Sequence, residues 1–174
     1  KHLQLVSAEA FLLKSSLSVK ILVHALRYLK NSQDRIAGYF IAFHYQNSTM
    51  GNHVDWEDIR KIHCLEQLLP PSFQHREKLL ELPLYELIEK ISHDLLYTPD
   101  GHRPMKDDSF VMCFLDNVLD WQKSHAAHLD TFLDYWTDEL QDKSISAAGH
   151  GGILIMTIQN LIISMRYVMR ITAL

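Results

Sequence analysis

The chain has 174 residues, of which 47% are hydrophobic and 22% are charged, and it contains two cysteines. This composition is typical of a folded globular protein and excludes both a disordered chain and a disulfide scaffold. The formal net charge of −4 provides no general positive field, which argues against a strong autonomous nucleic-acid binder. Cys64 and Cys113 are far apart in the sequence, and the N-terminus shows no signal-peptide pattern, so we expect a cytoplasmic location.

The first fifty residues predict a short strand followed by helices. Residues 3–6 alternate in polarity, as in a strand, and Ser7 is a candidate N-cap for a helix over residues 8–14. A longer helix is predicted from apolar Val19, Leu22, Val23, Leu26 and Leu29, with Lys20, Arg27 and Lys30 turned away from them. A second helix, from Asp34 to about Tyr45, is apolar at Ile36, Tyr39, Phe40 and Phe43. We expect the two helices to form a hairpin.

The remaining apolar stripes predict an orthogonal helical bundle. A polar stretch at residues 47–52 is the best candidate for a boundary. Helices are predicted after Asp55, from residue 73 to 82, and from Pro83 through a stripe that ends at Leu95. Two more follow the loop at residues 97–105; their apolar positions are Phe110, Val111, Phe114, Leu115, Val118 and Leu119 in one, and Leu129, Phe132, Leu133, Trp136 and Leu140 in the other. The fold class is therefore mainly α, with one or two short strands near the termini.

The C-terminal region predicts a buried strand and an apolar tail. Residues 153–158 are rich in β-branched side chains, and such a strand must pair with residues 3–6 or with a sheet that the chain does not contain. Gln159, Asn160, Arg166 and Arg170 interrupt the apolar sequence, so we expect no membrane span. We divide the chain into residues 1–50, 51–147 and 148–174 and expect these parts to form one compact unit.

No motif predicts a catalytic centre. The chain contains no Gly-Lys pair, so the loop that cradles nucleotide phosphates is missing, and we expect no bound cofactor. The GxSxG, HExxH and dinucleotide-binding patterns are missing as well.

The eleven histidines raise the alternative of a metal-dependent phosphohydrolase. His63, the pair His93-Asp94 and Asp130 follow the order of ligands in the HD type. We interpret His93 and Asp94 instead as polar residues on the outer face of a helix, because two-residue motifs often arise by chance. The close pairs at residues 125 and 128 and at residues 138–139 are interpreted as helix surface in the same way.

Several segments, in order, resemble the UvrD/Rep-type superfamily-1 DNA helicases, and particularly the AddA-like helicase-nuclease subunits. They are SAEAFLLKSS at residues 7–16, LRYL at 26–29, LPPSF at 69–73, LPLYEL at 82–87, FLDYW at 132–136 and ILIMTI at 153–158. The last of these is similar to the start of the helicase motif T-I-H-K-S-K-G-L-E-F. The resemblance covers about residues 3–158.

The resemblance implies a slice of the second RecA-like domain with its helical accessory insertion. ATP and magnesium would bind elsewhere in such a helicase, and this piece would contact DNA or a protein partner. Thr157 would meet a DNA phosphate, and Gln159 stands where the family has histidine. The chain departs from the family after Ile158, which suggests a shifted reading frame and a truncated product.

A second hypothesis is a free-standing helical interaction module. In that case the apolar tail, residues 161–174, would form a homodimer.

Overall fold

The computed structural model describes residues 5–62, 64–126, 128–145 and 153–155, with the backbone alone for residues 5–8 and 153–155. Seven α-helices lie in these ranges, and they confirm the predicted mainly α fold class. They are α1 (Leu17–Lys30), α2 (Arg35–His44), α3 (Trp56–Lys61), α4 (Arg76–Leu80), α5 (Leu84–Leu96), α6 (Asp108–Gln122) and α7 (Leu129–Asp138). None of the described helices combines the length and apolar character needed to cross a membrane.

Two short strands join the two ends of the described chain. β1 (Leu5–Ser7) and β2 (Ile153–Ile155) are parallel, with Leu5 opposite Ile153. Parallel strands require a long crossover connection, and here the connection includes all seven helices. Of the two pairings that the sequence left open for β2, the structure shows the one with the N-terminal strand.

The helix predicted over residues 8–14 is absent and is replaced by two 3-10 turns, Ala8–Phe11 and Leu13–Ser15. Leu12, between them, has extended backbone and bridges to Ser144. The Leu13 amide donates to the Lys143 carbonyl at 2.9 Å, and the Ile145 amide donates to the Phe11 carbonyl at 2.9 Å. These backbone bonds to a distant segment compete with helical bonds, which local sequence could not show.

Helix α1 is the centre of the bundle. It packs against α2, α5, α6 and α7, and all five of its predicted apolar positions are buried. Its first turn is capped twice: the Val19 amide donates to Ser16 Oγ at 3.1 Å, and the Ser18 amide donates to Asp107 Oδ2 at 3.0 Å. The start of α1 is therefore tied to the loop that precedes α6.

Asp107 is ionised in this network. Its burial alone would raise its pKa, but hydrogen bonds from Ser16 and Ser18, together with the charge of Arg103, outweigh burial and lower the pKa below the ordinary 3.8. Arg103 Nη2 lies 3.0 Å from Asp107 Oδ1. We interpret the group as a structural cap, because Asp107 accepts hydrogen bonds from Ser16 and Ser18 at the start of α1 while Arg103 lies beside its carboxylate.

The sequence predicts that α2 buries the face bearing Ile36, Tyr39, Phe40 and Phe43, but the structure buries the opposite face. Asp34 caps the helix, as its position indicates, through the Ala37 amide at 3.0 Å. The buried residues are Ala37, Gly38, Ile41 and Ala42, whereas Ile36 is 77% exposed and Tyr39, Phe40 and Phe43 are half-buried. A Cβ on Gly38 would lie 2.8 Å from Tyr28 Cε2 and 2.9 Å from Leu65 Cδ1. Only small residues allow such close packing, so the large side chains face outward.

The other stripes are confirmed with one exception. Leu84, Leu87, Ile88, Ile91 and Leu95 of α5 are all buried, as are Phe132, Leu133 and Trp136 of α7. In α6, Leu119 is 44% exposed, while Asn117 and Trp121 are buried. Phe114 contacts Phe132 and Trp136, with ring centroids 6.0 and 5.5 Å apart, so aromatic packing against α7 sets the rotation of α6.

The predicted boundary at residues 47–52 is crossed by hydrogen bonds. Gln46 Nε2 donates to the Leu68 carbonyl and Thr49 Oγ1 donates to the Leu95 carbonyl, both at 2.7 Å. Buried residues on both sides belong to one hydrophobic core. The division into three parts stays a prediction.

The orientation of α2 can be tested with two isoleucines. Ile41→Ala should lower the free energy of unfolding by about 2–5 kcal/mol, because the fully buried side chain leaves a cavity. Ile36→Ala should change it by less than about 0.5 kcal/mol, because its side chain is exposed. Urea denaturation followed by circular dichroism measures both. A larger loss from Ile36→Ala would mean that the opposite face is buried.

Candidate functional site

Charge is segregated along the chain and in the fold. Residues 10–54, which include α1 and α2, contain five Lys and Arg and one Asp, whereas the rest of the chain contains 12 Lys and Arg and 20 Asp and Glu. The modest net charge therefore conceals a basic helical hairpin within an acidic protein. Such local separation produces a directed field even when the whole molecule is acidic.

The solvent-accessible side of α1 carries a basic stripe, formed by Lys20, His24 and Arg27. Lys20 is exposed, and the other two are half-buried, while nearly every other residue of the helix is buried. Their spacing of four and three residues aligns them along one face. Lys20 and Arg27 form no ion pair with any residue that the structure describes.

The cations at the two ends of α1 are neutralised. Lys14, just before the helix, lies 2.5 Å from Asp142, and Lys30, at its last residue, lies 2.6 Å from Asp130. Within α1, Lys20 and Arg27 are therefore the cations that remain available for an external anion.

Aromatic rings border the basic stripe on the side of α2. The ring centroids of His24 and Phe40 are 4.4 Å apart, and those of Phe40 and His44 are 4.5 Å apart. One phenyl ring thus lies between two imidazoles. Half-buried rings next to free cations can stack on a planar group while the cations bind phosphate.

Both imidazoles have a lowered pKa. For His24 the main cause is burial, followed by the positive charge of Arg27; for His44 it is burial. His24 Nδ1 is buried and has no hydrogen-bond partner among the described residues. Both rings are therefore mostly neutral at pH 7, and the positive charge of the stripe comes from Lys20 and Arg27.

The site residues inferred from the helicase resemblance cannot be placed. Thr157 and Gln159 lie outside the described residues, as does the tail at residues 161–174 that was expected to form a homodimer. Their assigned roles stay predictions.

The residues of the metal-site alternative are held in separate interactions. Asp94 accepts a hydrogen bond from Lys90 at 2.8 Å, whereas Asp130 forms an ion pair with Lys30 at 2.6 Å. His63 lies outside the described residues. In the part of the chain that the structure describes, no group of three His, Cys, Asp or Glu side chains could hold a metal ion.

The interpretation of His93 and Asp94 as outer-face residues is right for His93 and wrong for Asp94. The His93 side chain is 75% exposed, but that of Asp94 is only 12% exposed. Asp94 lines a cleft of about 390 Å³ together with Tyr45 and Ser72. Burial raises the pKa of Tyr45, and the negative charge of Asp94 raises it further. Asp94 Oδ2 and Ser72 Oγ are buried without hydrogen-bond partners in the described structure.

The basic stripe was not identified as a site from the sequence. The periodicity correctly turned Lys20, Arg27 and Lys30 away from the core, but the overall charge argued against nucleic-acid binding. Counting charges by segment would have revealed the basic hairpin. The contribution of Phe40 and His44 could not have been found in this way, because it depends on the packing of α2 beside α1.

The lowered pKa values predict how stability depends on pH. Unfolded histidines take up protons near pH 6.5, whereas His24 and His44 in the folded protein resist protonation until lower pH. The free energy of unfolding should therefore fall as the pH drops below about 6.5. Urea denaturation at pH 8 and pH 5 measures the loss.

The loss should be smaller in the double variant His24→Asn/His44→Asn. His75→Asn, which removes an exposed imidazole, is the control and should leave the loss unchanged. An equal pH dependence in the wild type and the double variant would contradict the prediction.

Comparison with known proteins identifies no relative. No protein-family model, no curated protein and no solved structure matches the chain.

Proposed function

We propose that the chain is a piece of a UvrD/Rep-type superfamily-1 DNA helicase, formed by part of the second RecA-like domain and its helical insertion. In this role it contacts DNA and has no ATP site of its own. The ordered segments that resemble the family support the proposal. ATP and magnesium would bind to another part of the parent helicase.

The observation that carries DNA contact is the basic stripe. Lys20 and Arg27 are unpaired with described residues, on the exposed side of an otherwise buried helix. From Lys20 to Arg27 the helix rises by about 10 Å. DNA presents one phosphate per about 3.4 Å of axis along each strand, so the stripe matches the length of about three phosphates.

The acidic remainder of the protein restricts where DNA can bind. Asp and Glu outnumber Lys and Arg outside residues 10–54, so most of the surface repels a polyanion. DNA is thereby directed to the α1–α2 hairpin. Phe40 and His44, beside the stripe, add stacking surface for bases that are not paired.

A cytoplasmic location belongs to the same proposal. Cys64 and Cys113 are both free thiols, which fits a reducing compartment that contains DNA.

DNA binding can be tested with a double variant of the stripe. Lys20→Ala/Arg27→Ala should weaken binding to a forked DNA at least tenfold at about 50 mM salt, because two phosphate contacts are lost. The plot of log affinity against log salt should also become less steep, by about one for each lost contact. Fluorescence anisotropy over a salt series measures both quantities.

The matched control is Lys78→Ala/Lys106→Ala, which removes the same charge from exposed positions outside the hairpin. It should change affinity much less. Equal effects of the two double variants, or no binding by the wild type, would contradict the proposed function.

The missing ATP site leads to a separate prediction. The purified chain should not hydrolyse ATP above background, with or without forked DNA, because it has no Gly-Lys phosphate loop. A coupled assay of phosphate release with magnesium present measures this. ATP turnover that copurifies with the chain through several columns would refute the assignment.

A further inference from the structure

A second surface of the hairpin is apolar and unpartnered. We define the apolar face as Ile36, Tyr39 and Phe43 of α2 with Trp56 of α3. Ile36 is 77% exposed and Trp56 is 40% exposed. Trp56 contacts Phe43 and Tyr39 edge-on, with ring centroids 5.5 and 6.5 Å apart. A contiguous apolar surface of this kind usually marks an interaction site.

The charges around the apolar face are of both signs. The Arg35 guanidinium lies over the Tyr39 ring, with Cζ 5.3 Å from its centroid, at the start of α2. Asp55 and Glu57, which flank Trp56, are exposed. DNA would require a uniformly positive rim, so this face fits a protein partner better than it fits a phosphate backbone.

The two charges lie at opposite ends of the face. Helices α2 and α3 run antiparallel, because Phe43 near the end of α2 contacts Trp56 at the start of α3, while Tyr39 Oη donates to the carbonyl of Arg60 at 3.3 Å. Arg35 is eight residues before Phe43, or about 12 Å along the helix axis. The face therefore has a basic end and an acidic end.

We propose that the apolar face binds a second copy of this chain about a twofold axis. Antiparallel packing of α2 on the partner's α2 places the basic end of each copy against the acidic end of the other. Ile36 then lies against the ring of the partner's Phe43, and Tyr39 lies near the axis. A surface whose two ends carry opposite charges is self-complementary under such a rotation.

This dimer goes beyond the proposed function and does not depend on it. The apolar face adjoins the aromatic border of the basic stripe, because the ring centroids of Phe43 and His44 are 5.2 Å apart, but it does not include Lys20 or Arg27, which belong to α1. A dimer would carry two basic stripes, yet it would form without DNA. Failure of DNA binding therefore leaves this inference standing, and the absence of a dimer leaves the helicase proposal standing.

The mass of the purified full chain, measured by sedimentation equilibrium without DNA, tests the dimer. From about 1 to 100 µM, the range over which a standard-sized interface with moderate affinity titrates, the mass should rise toward twice that of the monomer. Ile36→Glu should remain monomeric throughout, with an unchanged circular dichroism spectrum. Met112→Glu, at a position 59% exposed on α6, should dimerise like the wild type.

A charge exchange tests the orientation. Arg35→Glu alone and Asp55→Lys/Glu57→Lys alone should each weaken the dimer at least tenfold, and the triple variant should recover most of the loss. Recovery is expected only if the basic and acidic ends meet across the interface. A monomeric wild type, an Ile36→Glu variant that still dimerises, equal disruption by Met112→Glu, or a triple variant no stronger than its parents would each overturn the proposal.

Discussion

The close approach of α1 and α2 at Gly38 is the constraint on which the surface of this protein depends. A Cβ at this position would meet Tyr28 of α1, and also Leu65, at less than 3 Å, so only glycine fits there without a shift of these side chains. Ala37, Gly38 and Ala42 provide that contact, with Ile41 as the one large buried side chain. Ile36, Tyr39, Phe40 and Phe43 lie on the other face of α2, exposed or half-buried, where they form both the border of the basic stripe and part of the apolar face.

The central position of α1 explains why so few of its charges remain available. Four helices cover it, its N-terminus is tied to Asp107, and the lysines at its ends are paired with Asp142 and Asp130. Lys20 and Arg27 are left facing solvent on a rigid, buried helix. Cations held in this way lose little conformational freedom on binding an anion, which is an advantage over mobile loop residues.

One hairpin thus offers two surfaces of different chemistry. The basic stripe, with Phe40 and His44 beside it, suits phosphate and unpaired bases, and under the proposed function the acidic remainder of the protein would direct DNA to it. The apolar face, with charges of opposite sign at its ends, suits a second copy. If both proposals hold, dimerisation would place two DNA-contacting stripes in one assembly, and the avidity of that assembly would exceed the affinity of either stripe.

The sequence by itself determined the helical class and the buried stripes of α1, α5 and α7, because these depend on local hydrogen bonds and on a periodicity of 3.6 residues. It also contained the charge segregation on which the proposed DNA contact depends. Only the tertiary structure decided which face of α2 is buried, since hydrophobic periodicity favours Ile36 and Phe43 over alanine and glycine, whereas close helix packing favours the small residues. It likewise decided that Leu12 bridges to Ser144 in place of a helix, because such backbone pairing joins segments far apart in the chain.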